Sequence, residues 1–323
     1  MTEPQRIKGV LSPVVTPVTA DYSPDAERLI RQCRWLLGQN CGLAVFGTNS
    51  EANSFSVPER MALLDALVGS GVDPRRMMPG TGCCALSDSV QLTAHAVTRG
   101  CAGVLMLPPF YYKGVSDEGL YRNFSEVVQR VGDARLRIYL YHFPAMSQVP
   151  ITLPLIERLI TAYPNTVVGM KDSSGDWNNT KAMLDAFGKS GFDVFVGSEE
   201  FLLAAMRHGG AGCISATANI NAAAIDRLYR EWRSPDADAQ QEALDVLRTT
   251  VAKYPMIPAL KQIVAHYSGD AGWARVRPPL VELTAEQATN LVADLVQLAF
   301  TMPGLHGDPN SPASTPRSAG RFS

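Results

Sequence analysis

The regular alternation of apolar runs and helical patterns is the feature that most constrains the fold of this chain. Eight runs rich in apolar or β-branched residues recur along the sequence, and capped helical patterns separate them. The predicted helix starts include Ser23-Pro24, Ser56-Val57-Pro58-Glu59, Ser87 and Ser116. Strands that alternate with helices pair in parallel, and eight such units within about 225 residues predict a closed (β/α)8 TIM barrel. The runs begin near Gly9, Gly42, Arg76, Gly103, Arg137, Thr166, Asp193 and Gly212.

An open, doubly wound sheet is the alternative interpretation of the same alternation. Such a sheet normally carries a glycine-rich phosphate loop after its first strand. The corresponding segment here, SPVVTP (12–17), contains no GxGxxG pattern. The barrel is therefore favoured.

The chain divides into three parts by composition and pattern. Residues 1–234 contain the eight strand–helix units and are predicted to form the catalytic barrel. Residues 235–302 contain three further helical patterns (236–253, 257–267 and 284–300) and no clear strand, so we expect a C-terminal helical appendage packed on the barrel. Residues 303–323 are rich in Pro, Gly and Ser with few apolar residues, which predicts a disordered tail.

Composition and charge exclude several function classes. The 323 residues carry a net charge of −2, so no global basic field indicates nucleic acid, and no apolar run has membrane-spanning length. The N-terminus lacks a signal-peptide core. The six cysteines form no CxxC pair and the five histidines no HxH or HxxxH pair, so we expect reduced cysteines, no metal and no cofactor. These features predict a cytoplasmic protein with a small-molecule substrate.

Lys171 is the residue that indicates a chemistry most directly. It follows the apolar run TVVGM (166–170), after which the pattern breaks at DSSG. Burial disfavours the charged ammonium form, and a free amine can form a Schiff base with an oxo acid. The alternatives are a lysine that extends to solvent or one that pairs with Asp172.

Other polar and aromatic residues follow the same end of neighbouring predicted strands. They include the Gly-Thr-Asn turn at 47–49, Tyr112 and Tyr141. Active sites of TIM barrels lie at the carboxyl ends of the strands, so these groups should meet Lys171 at one mouth. A phenol can move protons there, and hydroxyl and N–H groups can bind a carboxylate.

Five motifs in this register carry a family resemblance. With them, the sequence resembles the dihydrodipicolinate synthase/N-acetylneuraminate lyase family of class I pyruvate-dependent aldolases, from about residue 8 to 300. The resemblance agrees in register with all eight predicted strands, which makes it more specific than any single motif. The motifs are GTNSE (47–51), PPFYYKGVSDEGLY (108–121), YHFP (141–144), VVGMKDSSGD (167–176) and GCISATANI (212–220).

The resemblance implies roles for the catalytic residues. Lys171 would form the imine with the ketone of pyruvate or another 2-oxo acid, and Tyr141 would act as general acid and base. Thr48 would link Tyr141 to Tyr112 in a proton relay, and Thr48 and Asn49 would donate to the substrate carboxylate. The residue that matches Tyr112 reaches a neighbouring subunit in the family. A dimer would then be the minimum active unit, and the family is commonly a homotetramer.

The resemblance also assigns residues to the substrate pocket. Gly47 belongs to the carboxylate-binding turn, and Ile214 lies where the family lines the pyruvate pocket with a backbone carbonyl. Gly197 opens the segment that shapes the far end of the pocket. Glu199 could bind hydroxyls of a sugar acid, or could equally be an acidic residue in the first turn of a helix. The residues expected to face or border the second-substrate pocket are His142, Met146, Ser147, Ser198, Glu199 and Glu200.

Three positions depart from the family pattern. Members that make dihydrodipicolinate carry an arginine where this chain has Met146, and methionine cannot bind a carboxylate in the bidentate way. Asn49 replaces the usual threonine, as in members that act on 4-hydroxy-2-oxoglutarate, and Ser50 replaces the usual glycine. The lysine-pathway synthase is therefore disfavoured.

The resemblance and these departures together predict a Schiff-base lyase. It would cleave, or condense in reverse, a 4-hydroxy-2-oxo acid of the 2-keto-3-deoxy sugar acid type, giving pyruvate and an aldehyde. Three alternatives remain: 4-hydroxy-tetrahydrodipicolinate synthase, a dehydratase of 2-oxo sugar acids, and a non-catalytic protein that binds 2-oxo acids.

Overall fold

The computed structural model describes residues 6–305 and contains a curled sheet of parallel strands with many helices. The seven strands of the described residues lie in the order β2-β1-β7-β6-β5-β4-β3. The predicted α/β class with a parallel sheet is confirmed. The strands are β1 (Gly9–Ser12), β2 (Gly42–Leu43), β3 (Val104–Met106), β4 (Ile138–His142), β5 (Val167–Asp172), β6 (Asp193–Val196) and β7 (Gly212–Ile214).

Residues 77–81 join the two edge strands of this sheet, β2 and β3. On one side the Met78 N–H donates to the Leu43 carbonyl at 2.8 Å, and on the other the Leu105 N–H donates to the Pro79 carbonyl at 2.9 Å. The order of strands around the sheet then follows the order of the chain. This is the arrangement of a closed barrel, and a doubly wound sheet would show a reversal instead.

The strand predicted to begin near Arg76 is present only as two isolated parallel bridges. Arg76 ends a short 3-10 turn, Pro74–Arg76, and residues 77–81 form only isolated parallel bridges, between Met77 and Leu43 and between Gly80 and Leu105. Pro79 lies in the middle of this segment and has no N–H to donate, so it interrupts a hydrogen-bond ladder.

Helices follow the strands, and two of the predicted starts are confirmed. Ser56 and Glu59 form a capping box at α2, and Ser116 caps α4. Ser87, predicted as a cap, lies inside the first turn of α3, because that helix begins at Leu86. The helix predicted to open at Ser23-Pro24 begins at Ala26, and Asp25 caps it. The described helices are α1 (Ala26–Gly38), α2 (Val57–Gly69), α3 (Leu86–Thr98), α4 (Asp117–Val131), α5 (Pro144–Ser147), α6 (Leu153–Ala162), α7 (Trp177–Phe187), α8 (Leu202–Arg207), α9 (Ala218–Glu231), α10 (Ala237–Ala252), α11 (Met256–Ser268) and α12 (Ala285–Gln297).

The core consists of an inner cluster within the barrel and an outer cluster between strands and helices. Alternate residues of β4 divide between them: Tyr139 and Tyr141 belong to the inner cluster, and Ile138 and Leu140 to the outer one. This is the period of two that a strand with two buried faces requires. The direction of each side chain at the barrel mouth follows from this alternation.

The last three helices, α10 to α12, occupy the region where three helical patterns were predicted. Their buried residues Leu244, Leu260 and Leu291 belong to the same outer cluster as the barrel helices. The boundary after residue 234 stays a prediction. Of the predicted tail, the Pro303 carbonyl accepts a hydrogen bond from Trp35 Nε1 at 2.9 Å, and residues 306–323 lie outside the described part of the chain. No described helix is long and apolar enough to cross a bilayer.

Candidate active site

A β-bulge in β5 directs Lys171 into the barrel. In the register with β4, Val167 is opposite Ile138 but Gly169 is opposite Tyr139, so Val168 is an extra residue. Strict alternation from Val167, which faces the outer cluster, would also turn Lys171 outward. The extra residue reverses the alternation. Lys171 therefore lies opposite Tyr141 of β4, whose ring faces the barrel interior.

Gly169 makes this bulge possible. A Cβ atom at that position would lie 2.7 Å from Cδ1 of Tyr139 and would also collide with the Asp193 carbonyl. Backbone and ring thus occupy the space in which any side chain would begin, so only glycine fits.

The side chain of Lys171 is buried next to a phenol. It is 4% exposed, and its Nζ lies 3.3 Å from Oη of Tyr141 and 4.4 Å from the centre of that ring. Among residues 6–305, Lys171 takes part in no ion pair. Asp172 faces the other way, where its carboxylate accepts from Ser174, Asn179 and Thr180. Both alternatives for Lys171, extension to solvent and pairing with Asp172, therefore disagree with the structure.

Thr48 extends the contact between lysine and phenol. Its Oγ1 lies 3.4 Å from Oη of Tyr141, so Lys171, Tyr141 and Thr48 form a continuous polar path. Both distances exceed the usual range for O–H···O and N–H···O hydrogen bonds. Contacts of this kind in an unliganded site commonly shorten once the substrate is bound.

The turn that carries Thr48 presents two free N–H groups. Within the turn, the Ser50 N–H donates to the Gly47 carbonyl at 3.2 Å and the Glu51 N–H to the Thr48 carbonyl at 3.0 Å. The N–H groups of Thr48 and Asn49 donate to no acceptor within residues 6–305. Two adjacent free N–H groups beside a buried amine can bind an anionic group.

Gly197 and Ile214 lie at the ends of the two strands beyond β5. A Cβ on Gly197 would approach the Asp172 carbonyl to 2.8 Å and would collide with the hydroxyl of Ser173. Ile214 is fully buried in the inner cluster. Gly47, in contrast, has room for a Cβ, since the nearest atom would be 3.9 Å away.

The carboxylate of Glu199 is already bound by the protein. It is 1% exposed and accepts from the hydroxyls of Ser215 and Thr217, and Arg248 lies 4.0 Å away. It also stands in the first turn of the short 3-10 helix Glu199–Phe201. A bound hydroxyl would therefore have to join or replace these contacts.

The His142 side chain points away from the barrel interior, which corrects the prediction that it faces the second-substrate pocket, while the assignment of Ser147 to that pocket stays a prediction. His142 alternates outward from Tyr141, and its Nδ1 accepts from the Ile151 N–H at 3.1 Å. Burial lowers the pKa of His142, and nearby Asp172 opposes this shift only in part. The hydroxyl of Ser147 donates to the Phe143 carbonyl at 3.0 Å. The alternation of side chains along a strand would have predicted, from the sequence alone, that His142 points away from the barrel interior if Tyr141 points into it.

Tyr112 and Met146 lie on the surface of the single chain. Tyr112 is 72% exposed, packs edge-on against the equally exposed Tyr111, and has no hydrogen bond to Thr48 within the described residues. Met146 is 62% exposed. Within one chain, the polar path from Lys171 ends at Thr48.

A second buried lysine, which the sequence did not indicate, lies close to the site. Lys261 of α11 forms an ion pair with Glu51, the residue that ends the GTNSE turn. The signal was a lone lysine within the apolar stretch IPALKQIV (257–264) together with a glutamate in a catalytic motif. Neither residue alone indicated the other as its partner.

The fold and this geometry define a class: a parallel α/β barrel whose candidate site residues gather at the carboxyl ends of its strands. The chain belongs to the Dihydrodipicolinate synthetase family, whose sequence model matches residues 6–298. A DapA-like lyase of Chloroflexus aurantiacus, itself uncharacterised, is 32% identical over 299 residues, which are 91% of this chain and 96% of the relative.

Two solved structures extend this comparison. The crystal structure of dihydrodipicolinate synthase from Agrobacterium tumefaciens has a TM-score of 0.84 and 30% identity, and covers 90% of this chain and 99% of its own. YagE, a prophage protein of the same family from E. coli K12, was crystallised in complex with pyruvate. It has a TM-score of 0.81 and 25% identity, and covers 91% of this chain and 99% of its own.

Proposed function

We propose that this protein is a Schiff-base lyase that cleaves a 4-hydroxy-2-oxo acid into pyruvate and an aldehyde, or condenses the two. One observation carries the proposal. Lys171 Nζ is buried at a strand end without a carboxylate partner among residues 6–305, and it contacts a phenol that in turn contacts Thr48. Membership of a family of lyases and synthases supports the same chemistry.

The proposed reaction begins with attack of the Lys171 amine on the C2 ketone. The resulting carbinolamine loses water to give an iminium, for which Tyr141 transfers the protons. Tyr141 then takes the proton of the C4 hydroxyl, the C3–C4 bond breaks, and its electrons move into the iminium to form an enamine. The aldehyde leaves, C3 is protonated, and water hydrolyses the imine to pyruvate and free Lys171.

The turn at 47–49 is proposed to hold the carboxylate of the substrate. Two adjacent N–H groups and the hydroxyl of Thr48 offer three donors beside the amine. Oriented donors in a site that excludes water position the C2 ketone for attack and need no reorganisation during the reaction. Buried Ile214 would close the apolar side of the pyruvate pocket.

The proposal includes an oligomer, a dimer as the minimum unit and a tetramer of two dimers as the expected state. Tyr112 and Tyr111 expose two large rings next to each other. Exposed apolar groups of this size often mark an interface between subunits. Tyr112 of a neighbouring subunit would continue the relay from Thr48.

Met146 is the residue that distinguishes between aspartate semialdehyde and a sugar acid as the substrate. A synthase that uses aspartate semialdehyde needs a cation for the carboxylate of the aldehyde, and the thioether of Met146 provides none. We therefore favour a 2-keto-3-deoxy sugar acid, with Ser198 and Glu199 near the hydroxylated end. A dehydratase that uses the same imine is the second candidate, because Glu199 lies in a network of hydroxyl groups at the mouth.

Trapping of the imine tests the proposal. The protein is incubated with pyruvate, reduced with borohydride and mapped by mass spectrometry, and a 1-carboxyethyl group is expected on Lys171. Lys113, an exposed lysine that donates to the Ser147 carbonyl, is the internal control and should stay unmodified. An unmodified Lys171 would contradict the proposal.

A substrate panel tests the specificity. Cleavage of 2-keto-3-deoxy acids is compared with condensation of pyruvate and aspartate semialdehyde. We expect turnover of at least one sugar acid to exceed that with the semialdehyde. Preference for the semialdehyde would show that Met146 does not decide the substrate, and loss of water without release of pyruvate would identify a dehydratase.

A further inference from the structure

A fully buried ion pair lies behind the turn that carries Thr48. Lys261 Nζ contacts Glu51 Oε1, and neither side chain has any exposed surface. Lys261 Nζ also donates to the Arg275 carbonyl at 2.8 Å, and Glu51 Oε2 accepts from the Arg277 N–H at 2.7 Å. The pair thus joins α11 and the segment that follows it to the GTNSE turn.

Stability alone does not account for an ion pair in this position. Removing two charges from water costs several kcal/mol per ion, and apolar replacements of similar volume are often as stable or more stable. Burial lowers the pKa of Lys261, because it disfavours the charged ammonium, although nearby Glu51 opposes the shift. A buried ion pair does fix geometry, because its charges and hydrogen bonds are satisfied in one arrangement only.

The pair is connected to Thr48 through the backbone of Glu51. Glu51 has φ of 56°, in the left-handed region that is unfavourable for a residue with a Cβ, and its N–H donates to the Thr48 carbonyl at 3.0 Å. A conformation of this kind costs about 1 kcal/mol or more and persists where surrounding contacts hold it. The carboxylate of Glu51 is anchored by α11, so the turn is held from outside the barrel.

A second contact holds the other end of the same segment. The guanidinium of Arg277 binds Glu59 Oε1 at 2.6 Å and donates to the Ser54 carbonyl at 2.7 Å. It also lies 4.3 Å from the centre of the Phe55 ring. Residues 261–277 therefore fix residues 51–59 at both ends.

We propose that Glu51 and Lys261 are positioning residues, which hold Thr48 within reach of the Tyr141 hydroxyl and make α11 part of the catalytic apparatus. Neither residue touches the substrate; both act through the turn. This inference rests on the proposed function, because it gives the path from Thr48 to Tyr141 a catalytic use.

The test is the exchange of the methyl protons of pyruvate in D2O, followed by NMR. The exchange needs only the Lys171 imine and proton transfer from C3, so it is independent of the aldehyde. Lys261→Met should slow exchange at saturating pyruvate about tenfold or more, at a temperature where circular dichroism shows the variant folded. Lys253→Met is the matched control and should exchange at the wild-type rate, because the pair of Lys253 with Asp294 lies on the surface.

A double-mutant cycle separates positioning from general weakening of the fold. If Lys261 acts through Thr48, Lys261→Met should change the exchange rate by less than twofold in a Thr48→Val background. Effects that multiply in the double variant would overturn the inference. Should Lys261→Met fail to fold, Glu51→Gln replaces it in the cycle, since its amide oxygen still accepts from the Arg277 N–H.

The outcomes also distinguish this inference from the proposed function. A wild-type protein that forms no adduct on Lys171 and exchanges no protons overturns the function. A wild-type protein that does both, with a folded Lys261→Met variant that exchanges at the wild-type rate, leaves the function intact and overturns the positioning role.

Discussion

Two lysines are buried in the part of the chain that the structure describes, and their surroundings differ in one decisive respect. Lys261 in α11 is 0% exposed and contacts the carboxylate of Glu51. Lys171 in β5 is 4% exposed and contacts the hydroxyl and ring of Tyr141, and within residues 6–305 it forms no ion pair. The comparison teaches that burial alone does not identify a reactive amine. The neighbouring group decides whether a buried lysine is held as half of an ion pair or is available to a ketone.

The backbone explains how each lysine meets its partner. Lys171 stands near the carboxyl end of β5 and points inward because of the bulge at Val168. Lys261 stands in the middle of a helix that packs behind the turn at 47–51. Each prediction below changes one side of this comparison.

The largest expected effect is that of Lys171→Met. Loss of the amine removes the covalent route, so turnover should fall about 10⁴-fold or more. The free energy of unfolding should stay equal or rise, because a buried amine without a counter-charge gives way to an apolar group. Steady-state kinetics and urea unfolding measure the two effects, and a large loss of stability would contradict the account of Lys171 as unpaired.

Lys261→Met should affect stability in the opposite direction. It leaves Glu51 as a buried carboxylate without its cation, which typically costs 3–5 kcal/mol. Urea unfolding at neutral pH checks this value. The double variant Lys261→Met/Glu51→Gln should recover part of the loss, and a double variant as unstable as the single one would show that the pairing is not what matters.

Tyr141→Phe tests the contribution of the phenol that contacts Lys171. It keeps the ring and removes the hydroxyl, the single hydrogen-bond partner of Lys171 within the described residues. Proton transfer by a placed side chain contributes about 10²–10⁴-fold, so turnover should fall by that factor while slow imine formation remains. Stopped reactions trapped with borohydride, taken over time, separate the two rates. An equal decrease in the rate of imine formation and in turnover would indicate that Tyr141 contributes to substrate binding instead.

The smallest expected effect concerns stability in acid, through the ion pair of Glu59 with Arg277. The Arg277 guanidinium lowers the pKa of Glu59 to about 2 from its ordinary 4.5, and burial opposes this shift. Because the folded pKa is depressed, the stabilisation is complete above about pH 4.5 and is lost as the pH falls toward 2.

Since Glu59 is 30% exposed, we expect about 1–2 kcal/mol, below what the full shift would give. Glu59→Gln should remove that part of the pH dependence, measured as the difference between wild-type and variant urea unfolding at pH 6 and pH 3. A constant difference across the two pH values would show that Glu59 titrates normally.

The sequence predicted which side chains meet at the barrel mouth, because that convergence depends on topology. Once alternating strands and helices imply parallel strands, residues at their carboxyl ends must meet, and Lys171, Tyr141 and Thr48 do so. The structure does not bring Tyr112 to Thr48 within one chain.

The remainder depends on register and long-range packing, which local patterns do not encode. The bulge at Val168 is defined by the partner strand, since it appears only where Ile138 and Tyr139 fix the pairing. The pairing of Glu51 with Lys261 joins a turn near the start of the chain to a helix near its end. Pro79, in contrast, was a visible reason to doubt a regular third strand.

The most direct test compares the two buried lysines in one trapping experiment. Wild type, Lys171→Met and Lys261→Met are each incubated with pyruvate, reduced with borohydride and mapped by mass spectrometry. The account predicts a 1-carboxyethyl group on Lys171 in wild type and in folded Lys261→Met, and no adduct in Lys171→Met although Lys261 is still present. An adduct on Lys261, or none on Lys171 in the wild-type protein, would contradict the central claim that the unpaired lysine is the reactive one.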